Sequence, residues 1–203
     1  MNFWRRIVVC ALASVRRFGH AREAVAAVEF ALVMPVMLTL YLGSIELSSL
    51  INVDQRITTI AGTVGDLVAR ENGEIDAATM SEYFQAATSV ISPFTTTGLG
   101  QVVSVVYVNS SGVTKVLWSQ ATGGATARTV SQAFPGPHTI PTSMINITKG
   151  TTAPYIIVSE ASYSYKPLLG LFFKTAFPLY HQSFYLPRYA AMICYNASTC
   201  TSS

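Results

Sequence analysis

The sequence predicts an α+β chain: an N-terminal transmembrane helix continuing into an amphipathic helix, a second helix, and then a mainly antiparallel sheet. Three observations carry this. Residues 24 to 45 form an apolar stretch of 22 positions with one charge, Glu29. Apolar residues then recur at helical spacing as far as Val68. From Gln101 the period changes to β-branched runs broken by turns.

Composition agrees with a membrane contact. Half of the 203 residues are apolar and 11% are charged, less than half the usual charged share of a soluble domain. The net charge of +3 is unevenly placed. Arg5, Arg6, Arg16, Arg17 and Arg22 face the single acid Glu23, whereas from Val53 onward eight Lys/Arg meet seven Asp/Glu. The basic excess therefore belongs to the N-terminus and not to a domain face, which argues against nucleic acid as a partner. The length accommodates a cytoplasmic basic leader (1–24), a transmembrane helix (25–51) and an extracytoplasmic α+β domain (52–203).

As a helix, the apolar stretch spans roughly 33 Å, enough for a hydrocarbon core of about 30 Å. A buried core helix is the alternative, although such helices rarely stay this apolar for this long. Positive charge flanking a span stays in the cytoplasm, so the arginines predict a cytoplasmic N-terminus and an exported C-terminal domain. Pro35 lies mid-span, where it removes one helix hydrogen bond and favours a kink. The shorter apolar run Ile7 to Val15 cannot cross a bilayer. It reads as a membrane-surface leader, with a secretory-signal core cleaved at Ala11-Leu12-Ala13 as the alternative. Cys10 has no lipobox-like context.

Glu29 is the most informative residue. A carboxylate inside a span costs about 2.5–3.5 kcal/mol or more unless it is paired or near the interface, and so marks a functional position by default. The bland alternative is that it reaches the headgroups and does little.

The run Ala24-Val25-Ala26-Ala27-Val28-Glu29-Phe30-Ala31-Leu32-Val33-Met34-Pro35, followed by Gly43-Ser44-Ile45-Glu46-Leu47, resembles the N-terminal segment of the TadE/TadG-like proteins of the tight adherence (Tad/Flp) pilus system. Ser159 to Pro167 and Pro187-Arg188 resemble the last strands of that family. The resemblance implies a pilin-like fold and a pseudopilin or minor pilin. Its partners would be other pilins or pseudopilins, pilus assembly proteins, a prepilin peptidase and membrane lipid. In such proteins the peptidase removes a basic leader four residues before a glutamate, which maps here to cleavage between Ala24 and Val25. Ala24 stands where the family usually has glycine; cleavage after Gly19, four residues before Glu23, ranks second. A free amine at Val25 and the Glu29 carboxylate of a neighbouring subunit would then offset each other's desolvation and set the axial register between packed helices.

Beyond the span, Ile57, Ile60, Ala61, Val64, Leu67 and Val68 keep helical spacing, interrupted by Gly62 and Gly65. Asn72-Gly73 marks a turn. Asp76 predicts the N-cap of a second helix with Met80, Tyr83, Phe84, Ala87, Val90 and Ile91 on one face, ending before Pro93. Val102–Asn109 and Val113–Ser119 predict a hairpin around Ser110-Ser111-Gly112. Residues 120–154 predict a surface loop with a short strand at Met144–Thr148. Tyr155–Tyr165 predicts a strand, Leu168–Leu179 an apolar connection, and Phe184–Cys194 a last strand whose first half Pro187 restricts to an edge or bulge.

Cys194 and Cys200, both exported in this orientation, predict a small disulfide loop in an oxidising compartment, at the low end of the stabilisation disulfides give. No further Cys or His completes a metal site beside them. His20, His138 and His181 show no ligand spacing. There is no phosphate loop, GxSxG or HExxH, so the sequence predicts no cofactor and no enzyme. An unprocessed bitopic membrane protein with an adhesive or sensing domain is the competing reading. A membrane-tethered enzyme would need a cleft of titratable groups with perturbed pKa values.

Overall fold

The computed structural model describes residues 22–134, 140–167, 170 and 175–196, with side chains from Val25 onward. The leader with Cys10 and His20, His138, most of the 168–174 run and Cys200 lie outside the described residues. Contacts divide the chain into two units, Met1–Ser48 and Ser49–Ser203.

Helix α1, Arg22–Ala69, is 48 residues long and contains Pro35. In the first unit the hydroxyl of Thr39 donates to Pro35 O at 2.6 Å and that of Ser44 to Tyr41 O at 2.8 Å. Both polar groups are thus satisfied within the helix, as an apolar medium demands.

In the second unit, Val53, Ile57, Ile60, Ala61, Val64 and Val68 of α1 are fully or almost fully buried. They join Val103 and Val105, Ile157 and Ala161 of the sheet and Met80 and Phe84 of the second helix in one apolar cluster. The two glycines that interrupt the pattern have a packing reason. A Cβ on Gly65 would stand 2.5 Å from Tyr185 Cδ2 and 3.1 Å from Ser159 Cβ, while one on Gly62 would meet Tyr185 Oη at 3.4 Å. Gly65 is the notch into which the Tyr185 ring fits.

A two-residue strand β1, Glu74–Ile75, precedes α2, Ala77–Thr88, whose N-cap is Asp76 as expected. Its carboxylate accepts from Thr79 N at 2.7 Å, satisfying an amide that the first turn leaves free. A 3-10 turn, Ser89–Ile91, follows. Strands β2 (Leu99–Val108), β3 (Thr114–Thr122), β4 (Tyr155–Tyr165) and β5 (Phe177–Tyr185) form a sheet in the order β3-β2-β4-β5, antiparallel throughout. A register shift at Val105/Val106 reverses the alternation of β3, so Trp118 faces the α1 cluster while Val116 joins a second cluster with Val106, Ile156, Val158 and Phe134.

Two expectations need correction. Residues 142–148 form a helix, α3 (Thr142–Thr148), and not a strand; Pro141 O accepts from Ile145 N at 3.2 Å and starts the turn. The last long strand is Phe177–Tyr185 and not Phe184–Cys194. Pro178 sits near its start, opposite Ser164 on an edge, where a missing N–H is tolerated. Among the described residues beyond Pro187, only Cys194–Tyr195 (β6) forms a strand, pairing in parallel with β1.

Candidate membrane and assembly helix

Residues 25–45 of α1 present apolar side chains to the surroundings. Phe30 is 68% exposed and Leu32 70%, and eleven large apolar residues from Val25 to Tyr41 are half exposed or more. The most apolar window of the helix is 0% buried, which removes the core-helix alternative within the described residues. By length and composition this is one candidate membrane span. Each such side chain gains about 1.5–3 kcal/mol on full transfer from water. Even at half weight the group outweighs the cost of about 2.5–3.5 kcal/mol for one acid in a span. Insertion therefore tolerates Glu29.

Apart from Cys200, which lies outside the described residues, each anticipated site residue can now be placed. Ala24 is helical, with its side chain outside the description. Val25 is 56% exposed, Glu29 is exposed, and Pro35 is inside the helix. Glu46 is buried, at 3% exposure. Cys194 is buried and disulfide-bonded.

The second unit holds polar clusters that the sequence did not reveal, because each joins residues distant along the chain. Glu160 of β4, buried at 3% exposure, accepts from Arg128 Nε at 2.9 Å, from Arg128 Nη2 and from Tyr180 Oη. The hydrogen bond to Glu160 raises the Arg128 pKa; burial, then the hydrogen bond to Glu160, raises that of Tyr180. His181 Nε2 lies 2.6 Å from Asp54 Oδ1. Asp66 pairs with Arg70 at 2.5 Å and with Arg188 at 2.6 Å, and Arg188 N also donates to Ala69 O at 2.9 Å. Arg56 donates to Val90 O and Ser92 O across to the end of α2. Tyr83 donates to Glu71, and burial first, then that hydrogen bond, pushes its pKa up to about 12.

These groups tie helices, strands and the C-terminal segment together; they do not converge on a cleft. A groove of about 300 Å³ between α2 and β3 is lined by uncharged residues, among them Met80, Phe84, Gln85, Gln120 and Thr122. Among the described residues no group of three or more His, Cys, Asp or Glu could hold a metal ion.

The class defined so far is an α+β protein with one N-terminal helix suited to a membrane. A family model described as TadE-like protein matches residues 24–64, which cover the apolar stretch and the first buried turns after it. The chain is thus similar to TadE-like proteins over this N-terminal segment. Neither the curated proteins nor the solved structures provide a match.

Proposed function

We propose that this chain is a pseudopilin or minor pilin of a Tad/Flp-type pilus assembly and secretion machine, working through helix packing in the membrane and protein contacts of its exported domain. The observation that carries the reading is the coincidence of the TadE-like segment with an uncovered apolar helix holding the lone acid Glu29. An apolar surface of this extent needs lipid or other helices around it. The basic leader 1–24 would stay in the cytoplasm, the helix 25–51 would cross the inner membrane, and the domain 52–203 would lie outside.

In this reading a prepilin peptidase cuts between Ala24 and Val25. The Glu29 carboxylate then pairs with the new amine of a neighbouring subunit, and Pro35 gives the helix a point of local bending. Other pilins, pseudopilins and assembly proteins are the partners. A Cys194–Cys200 disulfide would close the C-terminal tail. The second reading, an unprocessed bitopic protein with an adhesive or sensing domain, is favoured by Ala24, which stands where the resembled family usually carries glycine. N-terminal sequencing of protein extracted from membranes separates the two. A mature start at Val25 supports the pseudopilin; a retained leader overturns processing and leaves the bitopic protein.

A further inference from the structure

The groove between α2 and β3 is built from two regular faces. On α2, Ala77, Ser81, Gln85 and Thr88 follow one another at spacings of four, four and three residues and so stand in one row on the helix surface. On β3, Gln120 and Thr122 share one face of the strand. Gln101 of β2 ties the helix wall to the sheet: its Nε2 donates to Thr88 Oγ1 at 2.7 Å and to Phe84 O at 3.3 Å. Tyr195 also lines the groove, with its ring 5.7 Å from that of Trp118. Trp118 is fixed in turn, because its Nε1 donates to Ile193 O at 2.7 Å. The groove is therefore preformed.

Its free hydrogen-bonding groups are neutral. The Thr88 hydroxyl is engaged within α2, donating to Phe84 O at 2.7 Å. Gln85 donates to Ser81 Oγ at 3.3 Å and keeps its amide oxygen available. The Gln120 amide and the Thr122 hydroxyl have no partner among the described residues. No charged side chain lines the groove, so an ionic ligand would lose its hydration there without a counter-charge. An added peptide strand is disfavoured as well. The strap that follows β3, residues 123–134, already takes its edge at Val116: Ser131 N donates to Val116 O at 2.8 Å and Val116 N to Gln132 O at 2.9 Å. Only the short edge beyond it is left. A saccharide matches what remains. Its hydroxyls donate and accept, as carboxamides do, and the apolar C–H face of its ring lies well on an aromatic plane. The volume of about 300 Å³ stands at the lower limit of ligand pockets and suits a mono- or disaccharide.

We propose that this groove binds a neutral saccharide, held by the Gln85 and Gln120 amides and the Thr122 hydroxyl against the ring of Tyr195. The site lies wholly in the second unit and does not rest on the pilus reading. Nuclear magnetic resonance of the full chain tests it, in a detergent without a sugar headgroup. The probes are D-glucose, D-galactose, D-mannose and N-acetyl-D-glucosamine, with D-glucuronate and a blocked, uncharged tripeptide as controls. At least one neutral sugar gives saturable shifts of the Gln85 and Gln120 side-chain amides and the Thr122 backbone amide, while the outer face of the sheet is undisturbed. Gln120→Ala weakens that binding about fivefold, the worth of one net hydrogen bond. Four results overturn the site: no saturable shift with any of the sugars, glucuronate or the tripeptide binding as tightly as the best sugar, shifts spread evenly over the domain, or parental affinity in Gln120→Ala. Should Gln120→Ala fail to fold, Gln85→Ala decides, since Gln85 is an exposed helix position. Weakened sugar binding in that variant supports the site; unchanged binding overturns it.

Discussion

Replacing Gly65 by alanine tests whether the outer part of α1 is seated on the sheet as described. The substitution favours the helix by about 1 kcal/mol on propensity alone. Against this, the new Cβ lands 2.5 Å from Tyr185 Cδ2 and 2.6 Å from Cε2, with Ser159 Cβ at 3.1 Å on another side. Carbon contacts settle near about 3.5–4.0 Å, so the ring must move by about 1 Å, and overpacking of this kind costs about 1–3 kcal/mol. The net expectation is a loss of up to about 2 kcal/mol. Gly62→Ala is the internal control. Its Cβ meets only Tyr185 Oη, at 3.4 Å, so it keeps the helical gain and leaves the domain unchanged or more stable by about 0.5–1 kcal/mol. Urea titrations of the full chain in a fixed detergent, followed by far-UV circular dichroism, measure both. Equal effects of the two substitutions, or a Gly65→Ala protein more stable than its parent, would refute the seating of Tyr185 against α1.

Other outcomes follow from the same contacts. Trp118→Phe removes the donor that reaches the buried Ile193 O at 2.7 Å and should cost about 1–3 kcal/mol; an unchanged denaturation midpoint would contradict it. Tyr83 has a folded pKa raised from 10.0 to about 12. Its contribution is complete below pH 10 and lost as pH rises through about 12, so Tyr83→Phe should flatten the alkaline limb of stability against pH. Asp76 has a folded pKa lowered from 3.8, chiefly by the backbone hydrogen bond from Thr79. Its contribution is complete above pH 3.8 and disappears as pH falls through the folded value; an acid titration of Asp76→Ala should lack this loss. Mass spectrometry of unreduced peptides should recover Cys194 linked to Cys200, and a free Cys200 would end that proposal.

Much of the architecture was written in local pattern. Tyr155–Tyr165 appears with the limits its composition predicts. The cap at Asp76 and the buried stripe of α1 are equally local signals, a side chain before a helix and a 3.6-residue period. What escaped depends on partners far along the chain. Met144–Thr148 is β-branched and reads as a strand, yet Pro141 and the burial of Ile140 and Thr148 make it a helical turn and a half. The parallel pairing of Glu74–Ile75 with Cys194–Tyr195 has no sequence signature at two residues. Gly62 and Gly65 looked like helix breakers because the ring they accommodate arrives 120 residues later, from Tyr185. The same holds for the site: Glu29 and Pro35 stand out as foreign residues in an apolar run, whereas Arg128 and Glu160 gain meaning only when a strap lays one on the other.

The most direct measurement is of assembly in cells carrying Glu29→Gln. The account predicts that the protein still enters the membrane, since an amide costs less there than a carboxylate, but that pilus production and co-purification with other pilus subunits fall sharply. Filaments and partner recovery at parental levels, with the helix inserted as before, would contradict the claim that this carboxylate is what the neighbouring helix recognises.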